Sequence, residues 1–187
     1  MIASKTQPAT EADLEQLDDT VVGEILGGEL VVSPRPSGPH GLVASGAGFL
    51  LSGPFRYGVG GPGGWWILDE PQVHLAADVV VPDLGGWRRA RMPEVPTDHR
   101  FRIPPDWVCE VLSPSTRRHD RLYKIDLFDR HRVPHVWLID PVDRTLEVYA
   151  RLADGGYRIQ VIDAGASAAA RVPPFDAVAL DLTLLWK

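Results

Sequence analysis

Apolar and polar positions alternate along this chain in short blocks, and most blocks are too brief for long helices. Two apolar stretches in Val21–Pro34 flank Gly27-Gly28. A Gly-Gly pair tolerates positive φ at both positions, so the segment predicts an N-terminal β-hairpin. Between His40 and Leu51, the residues Leu42, Val43, Ala47, Leu50 and Leu51 recur at helical spacing. Gly46 and Gly48 weaken that helix but allow close packing against a sheet. The run Trp65–Leu84 reads as two or three strands, broken at Glu70-Pro71 and at Ala76-Ala77-Asp78. Trp87–His99, rich in arginine and proline, reads as a solvent loop or a short edge strand. Asp106–Leu112 is almost wholly apolar, as strands covered on both faces are.

Beyond Pro114, Ser115 or Thr116 caps a predicted helix reaching about His131, with Leu122, Ile125 and Phe128 in its packing stripe. His135–Asp140 is another apolar strand, so residues 107–140 form a strand–helix–strand crossover. Arg144–Ala150 and Tyr157–Asp163 make a hairpin about Asp154-Gly155-Gly156. A short helix after Thr10, with Asp13 three positions later, opens the chain, and one short apolar element at Ala177–Leu185 closes it. The expected class is α/β (α+β), a mixed sheet with helices on it.

The chain has 187 residues, which suits one domain with a real core. Apolar content of 44% and charged content of 24% place it among globular proteins. The single cysteine, Cys109, excludes an intramolecular disulfide and a cysteine-based zinc site, and fits a reducing compartment. No apolar run approaches the ~20 residues of a membrane helix. The N-terminal stretch lacks an apolar signal core and turns acidic at once, so the expectation is a cytoplasmic protein with no membrane partner. A net charge of −6 argues against general affinity for nucleic acid, yet the window 113–132 is locally basic.

Two acids carry the candidate chemistry. Asp83 follows Pro82, which cannot donate to a strand ladder and so loosens the sheet. Its carboxylate either opens a turn or points away from the core. Glu110 lies inside the apolar run WVCEVL, where a carboxylate is costly unless a buried arginine pairs it or a cation binds it. Alternation puts Glu110 on one face with Val108 and Leu112, and Cys109 and Val111 on the other. Cys109 then reads as a buried structural thiol, and Trp107 and Trp137 as core. Lys124, on the following helix, either pairs with Asp120 four positions back or reaches the acids, where it would stabilise negative charge. Magnesium favours one or two carboxylates with waters and phosphate oxygens, which Asp83 and Glu110 are able to supply.

At these residues the chain resembles the Uma family of restriction-endonuclease-like proteins, first catalogued as a domain of unknown function. The resemblance spans roughly Val21 to Tyr149. It rests on GEILGGELVVSP, His40, VVVPDL and, above all, CEVLSPSTRRHDRLYKIDLFDRHRVPHVWLIDP. Such proteins are similar to the PD-(D/E)XK nuclease superfamily, which implies a mixed four-stranded sheet core flanked by helices. It implies a nuclease core near residues 21–150 in a single domain, with a C-terminal hairpin and tail over 151–187. Asp83 then matches the motif Asp and Glu110 the second acid. The superfamily lysine would fall two positions after Glu110, where this chain has Leu112, and the resemblance moves that role to Lys124. Glu24 and His40 match family positions lining the same cleft, against plainer readings as a hairpin-end charge and a neighbour of a helix cap.

The implied activity is magnesium- or manganese-dependent hydrolysis of DNA phosphodiester bonds, with Asp83 and Glu110 as metal ligands. Arg117, Arg118 and Arg121, with Arg88, Arg89 and Arg91, would contact backbone phosphates. A homodimer is expected for cutting two strands. The alternative is a catalytically inactive nuclease-fold module that binds nucleic acid or protein, favoured by Leu112 and by the acidic net charge. A third reading, hydrolysis of another phosphoester, would act on nucleotides rather than polymer.

Overall fold

The computed structural model describes residues 7–113, 117 and 120–187. Its chain begins with a short helix, α1 (Glu11–Leu14), where the Asp13 carboxylate accepts the Thr10 N–H at 2.8 Å. The hairpin follows as β1 (Val21–Leu26) and β2 (Glu29–Pro34), with Gly27 at φ 61° and Gly28 at φ 83° in the turn. Next comes α2 (Gly38–Leu51), which runs into one π-helical turn over Ser52–Arg56. The apolar run then divides into β3 (Trp65–Asp69), β4 (Gln72–Leu75) and β5 (Asp78–Val80), with breaks where the sequence places them. Strand β6 (Leu84–Arg88), the two-residue β7 (Arg100–Phe101) and β8 (Trp107–Val111) come next. A π-helical segment, Asp120–Lys124, leads into α3 (Ile125–Arg130). The chain continues through β9 (His135–Asp140), β10 (Thr145–Arg151) and β11 (Tyr157–Asp163), then a 3-10 turn at Leu182–Trp186.

These strands build two mixed sheets. One has the order β2-β1-β5-β4-β7 and the other β11-β10-β9-β8-β6-β3. Neighbours are antiparallel except β4–β7 and β8–β9, and the parallel β8–β9 pair is the one joined through α3. The six-stranded sheet is covered on both faces. On one side Val43, Ala47 and Leu51 of α2 pack with Trp65, Cys109, Val111, Trp137 and the C-terminal tail. On the other, Val73, Leu75 and Val80 of the smaller sheet and Leu127 and Phe128 of α3 pack on Trp87, Val108 and Leu138. The alternation read in WVCEVL is therefore present, because successive β8 side chains enter different cores. Trp107 and Trp137 meet edge to face at 5.2 Å, and Phe175 from the tail closes on both rings.

Three expectations change. Trp87 is not in a solvent loop: β6 is an interior strand between β8 and β3, and Trp87 is fully buried. Glycine hides the strand, since a Cβ on Gly85 would lie 2.7 Å from Pro71 Cγ and one on Gly86 2.9 Å from Trp107 Cε3. Leu122 is not in a packing stripe, being 58% exposed. The π-helical register over Asp120–Lys124 departs from the 3.6-residue period, so Leu122 turns outward and Lys124 turns in. Finally, the expected mixed sheet flanked by helices is present, but among the described residues it has six strands rather than four and a second sheet of five beside it. The predicted cap at Ser115 or Thr116 lies outside the described residues.

Candidate functional site

A cleft of about 480 Å³ opens between the two sheets, and the five residues singled out as Asp83, Glu110, Lys124, Glu24 and His40 all line it. Each arrives on a different element. Glu24 comes from β1, next to Ile25, which joins that strand to β5 at Val79. Asp83 immediately precedes β6, and its main-chain oxygen accepts the Glu70 N–H at 3.0 Å. Glu110 is the fourth residue of β8, His40 lies in the first turn of α2, and Lys124 ends the π-helical segment.

Lys124 is the hub. Its Nζ donates to Glu110 Oε1 at 3.0 Å and stands 3.0 Å from Glu24 Oε1. All three side chains are buried. Glu24 Oε1 also accepts the Val81 N–H at 2.8 Å. Buried carboxylates are tolerable only when paired, and here one ammonium serves two of them. Where the sequence left a choice between a buried arginine and a cation, Glu110 has a lysine, Lys124, within hydrogen-bonding distance.

Asp83 forms the second half of the site. Its Oδ2 accepts the Val111 N–H at 2.7 Å and lies 3.3 Å from His40 Nε2. The carboxylate is therefore anchored at the point where β8 ends, one residue beyond Glu110. Cys109 faces the opposite core, fully buried, and burial pushes its thiol pKa well up, helped by the charges of Asp83 and Glu110. That thiol is held in its neutral form and belongs to the packing.

The arginines fall elsewhere. The Arg88 guanidinium stacks over Trp65 at 4.5 Å, and that of Arg89 over Trp66 at 4.0 Å while also donating to the Arg56 carbonyl at 2.8 Å. Arg91 pairs with Asp106 at 2.7 Å. Arg117 pairs with Asp140, and Arg121 with Glu147. None of these lines the cleft. Arg118 lies outside the described residues. Sequence reading missed Arg35 and Glu70, both of which line the cleft. The available signal was an arginine held between Pro34 and Pro36 on a loop too stiff to fold away.

The donor set is hard oxygen. Among the described residues no group of three or more His, Cys, Asp or Glu side chains is placed to hold a metal ion. Two anchored carboxylates beside an open cleft fit magnesium or manganese, whose remaining positions go to water and phosphate oxygens.

Comparison with known proteins follows the same line. A family model for Uma2, described as "Putative restriction endonuclease", matches residues 12–183. The match extends beyond Val21–Tyr149 at both ends and takes in most of the tail. A crystal structure at 1.96 Å of "a putative nuclease belonging to DUF820 from Anabaena variabilis ATCC 29413" is similar, with a TM-score of 0.77 and 24% sequence identity over 96% of this chain and 100% of that one. At that identity the likeness is one of fold. No curated protein matches the chain. On the family match along nearly its whole length, the chain belongs to the Uma2 family, described as "Putative restriction endonuclease".

Proposed function

We propose that this protein is a metal-dependent endonuclease that hydrolyses phosphodiester bonds in DNA. The observation that carries the reading is the convergence of Asp83, Glu110, Glu24 and Lys124, from four separate elements, on one open cleft. Packing alone gives no reason to bury two glutamates and a lysine together, since apolar residues of similar volume are often as stable. Asp83 and Glu110 would hold magnesium or manganese, which supplies a nucleophilic water at neutral pH and neutralises phosphate charge. His40 orients the Asp83 carboxylate through the 3.3 Å contact. Lys124, with its ammonium between the two glutamates, stabilises charge developing on the phosphate and positions the attacking water. Cutting both strands of a duplex calls for two such sites, hence a homodimer.

A second reading is an inactive nuclease-fold module that binds nucleic acid or protein. One observation favours it: Lys124 already pairs with both Glu24 and Glu110 without any metal cation. Incubating supercoiled plasmid with magnesium or manganese, wild type beside Glu110→Gln, separates the two. The endonuclease reading expects nicking or linearisation by wild type and a loss of about 100-fold or more in the variant. Wild type that cuts in neither metal at low salt, while still binding duplex, selects the second reading.

A further inference from the structure

Among the described residues, the cationic side chains lining the cleft are Lys124 and Arg35. They differ in kind. Lys124 is buried between two glutamates, whereas Arg35 sits at the mouth with 51% of its side chain exposed. Its Nη1 lies 3.2 Å from Glu70 Oε2, and Glu70 is itself 41% exposed. The Arg35 Nε donates to the Asp19 carbonyl at 3.0 Å, so the guanidinium is held at the cleft edge by the turn that leads into β1. An exposed ion pair of this sort is weak, and a phosphate is well able to displace it. A guanidinium also matches the two oxygens of a phosphodiester through paired N–H donors.

Glu70 is held by unusual backbone. Its φ is +43° although it carries a side chain and precedes Pro71, and its N–H is spent on the Asp83 main-chain oxygen. A non-glycine residue in the left-handed region stores strain. The same turn thus fixes the backbone at Asp83 and presents a carboxylate to Arg35. Ser37 and His40, at the start of α2, line the same wall, so the positive end of that helix dipole lies at the cleft.

We propose that Arg35 is the phosphate-binding cation of this cleft, with Glu70 as an internal carboxylate that occupies it until a substrate phosphodiester takes its place. The inference rests on the endonuclease reading and supplies the substrate contact that the arginines at 88, 89, 91, 117 and 121 do not make within the cleft.

The test is fluorescence anisotropy with a labelled 20-base-pair DNA duplex in calcium, over about 50 to 200 mM salt, for wild type, Arg35→Gln, Glu70→Gln and Arg102→Gln. Arg102, paired with Asp98 in an exposed ion pair at 3.1 Å, loses the same charge but does not line the cleft. Plasmid cleavage by wild type is run on the same preparation. Arg35→Gln is expected to weaken binding about tenfold and to reduce the log–log salt slope by about 0.9, one phosphate contact. Glu70→Gln is expected to tighten binding about threefold, with Arg102→Gln close to wild type. If Arg35→Gln and Arg102→Gln bind alike, the assignment of Arg35 is overturned, while plasmid cleavage by wild type leaves the endonuclease reading standing. If wild type neither binds the duplex nor cuts plasmid, both fall together.

Discussion

Lys124 shows how one residue is placed by competing demands. An ammonium removed from water is costly, and its two glutamate partners, each 3.0 Å away, offset that cost only as a set. Removing Lys124 takes away the cation that both glutamates share, whereas removing either glutamate leaves the ammonium paired with the other. Histidines illustrate the opposite case, burial without a full ionic partner. Burial holds the His135 pKa below the usual histidine value, with Arg88 adding to the depression and the Asp106 carbonyl opposing it. Burial depresses His74 as well, against the pull of Glu11 at 3.1 Å. As pH falls through the ordinary value near 6.5, the unfolded chain takes up protons at these positions before the folded chain does. Stability contributed by the neutral rings is therefore present above that value and lost below it. Urea unfolding at pH 7.5 and 5.5 is expected to show a lower midpoint at the acid pH, with a smaller drop in His135→Gln. An equal drop in the variant would remove His135 from the account.

At the level of elements, the two-glycine stretch in β6 sets how closely the aromatic core packs on the six-stranded sheet. Gly86 faces Trp107 so closely that a methyl group would stand 2.9 Å from its ring, with Ile67 and Trp65 behind. The ring is fully buried and packed against Trp137 and Phe175, so it has nowhere to go. Gly86→Ala is expected to destabilise the fold by about 1–3 kcal/mol, read from the urea midpoint with an unchanged m-value. A variant as stable as wild type would mean that the aromatic cluster relaxes freely.

These glycines also explain what the sequence concealed. Strands announced by β-branched runs, such as Val79-Val80 and His135–Asp140, were legible, as were hairpins marked by Gly27-Gly28 and Gly155-Gly156. Strand β6 was not, because its glycines serve close packing and carry no apolar signal. The helix after β8 was legible, with Ile125 and Phe128 facing inward as expected, but Leu122 was misplaced because a π-helical turn shifts which side chains point inward there. Glu110 stood out as a carboxylate in an apolar run. Arg35 did not, because its meaning depends on Glu70, thirty-five positions away.

Across the whole molecule, charge is spread against the naive expectation for a protein that handles nucleic acid. The net charge is −6, and many arginines are engaged with carboxylates or aromatic rings, as at Arg88, Arg89, Arg117 and Arg121. Long-range attraction of a polyanion is thereby weak, and under the proposed endonuclease function affinity for DNA has to come from a few contacts made at short range. The two sheets divide the labour. The six-stranded sheet, covered on both faces, supplies Glu110 and the anchor for Asp83, whereas the smaller sheet supplies Glu24. The cleft is therefore a joint between two sheets, and Lys124 bridges it.

That bridge gives the protein a spectroscopic handle. Glu24 Oε1 faces both the Lys124 ammonium and the Val81 amide, which donates to it at 2.8 Å. Any ligand that draws Lys124 toward itself leaves more negative charge for that amide, and its proton resonance should move downfield. The Gly27 amide, donating to Asp78 Oδ1 at 2.7 Å where β1 ends, has the same type of bond but does not line the cleft. In an NMR titration with magnesium or short duplex DNA, the Val81 signal is expected to shift while that of Gly27 stays in place. The two peaks moving together would report a general loosening of the smaller sheet, and neither moving would mean that Lys124 keeps its glutamates throughout.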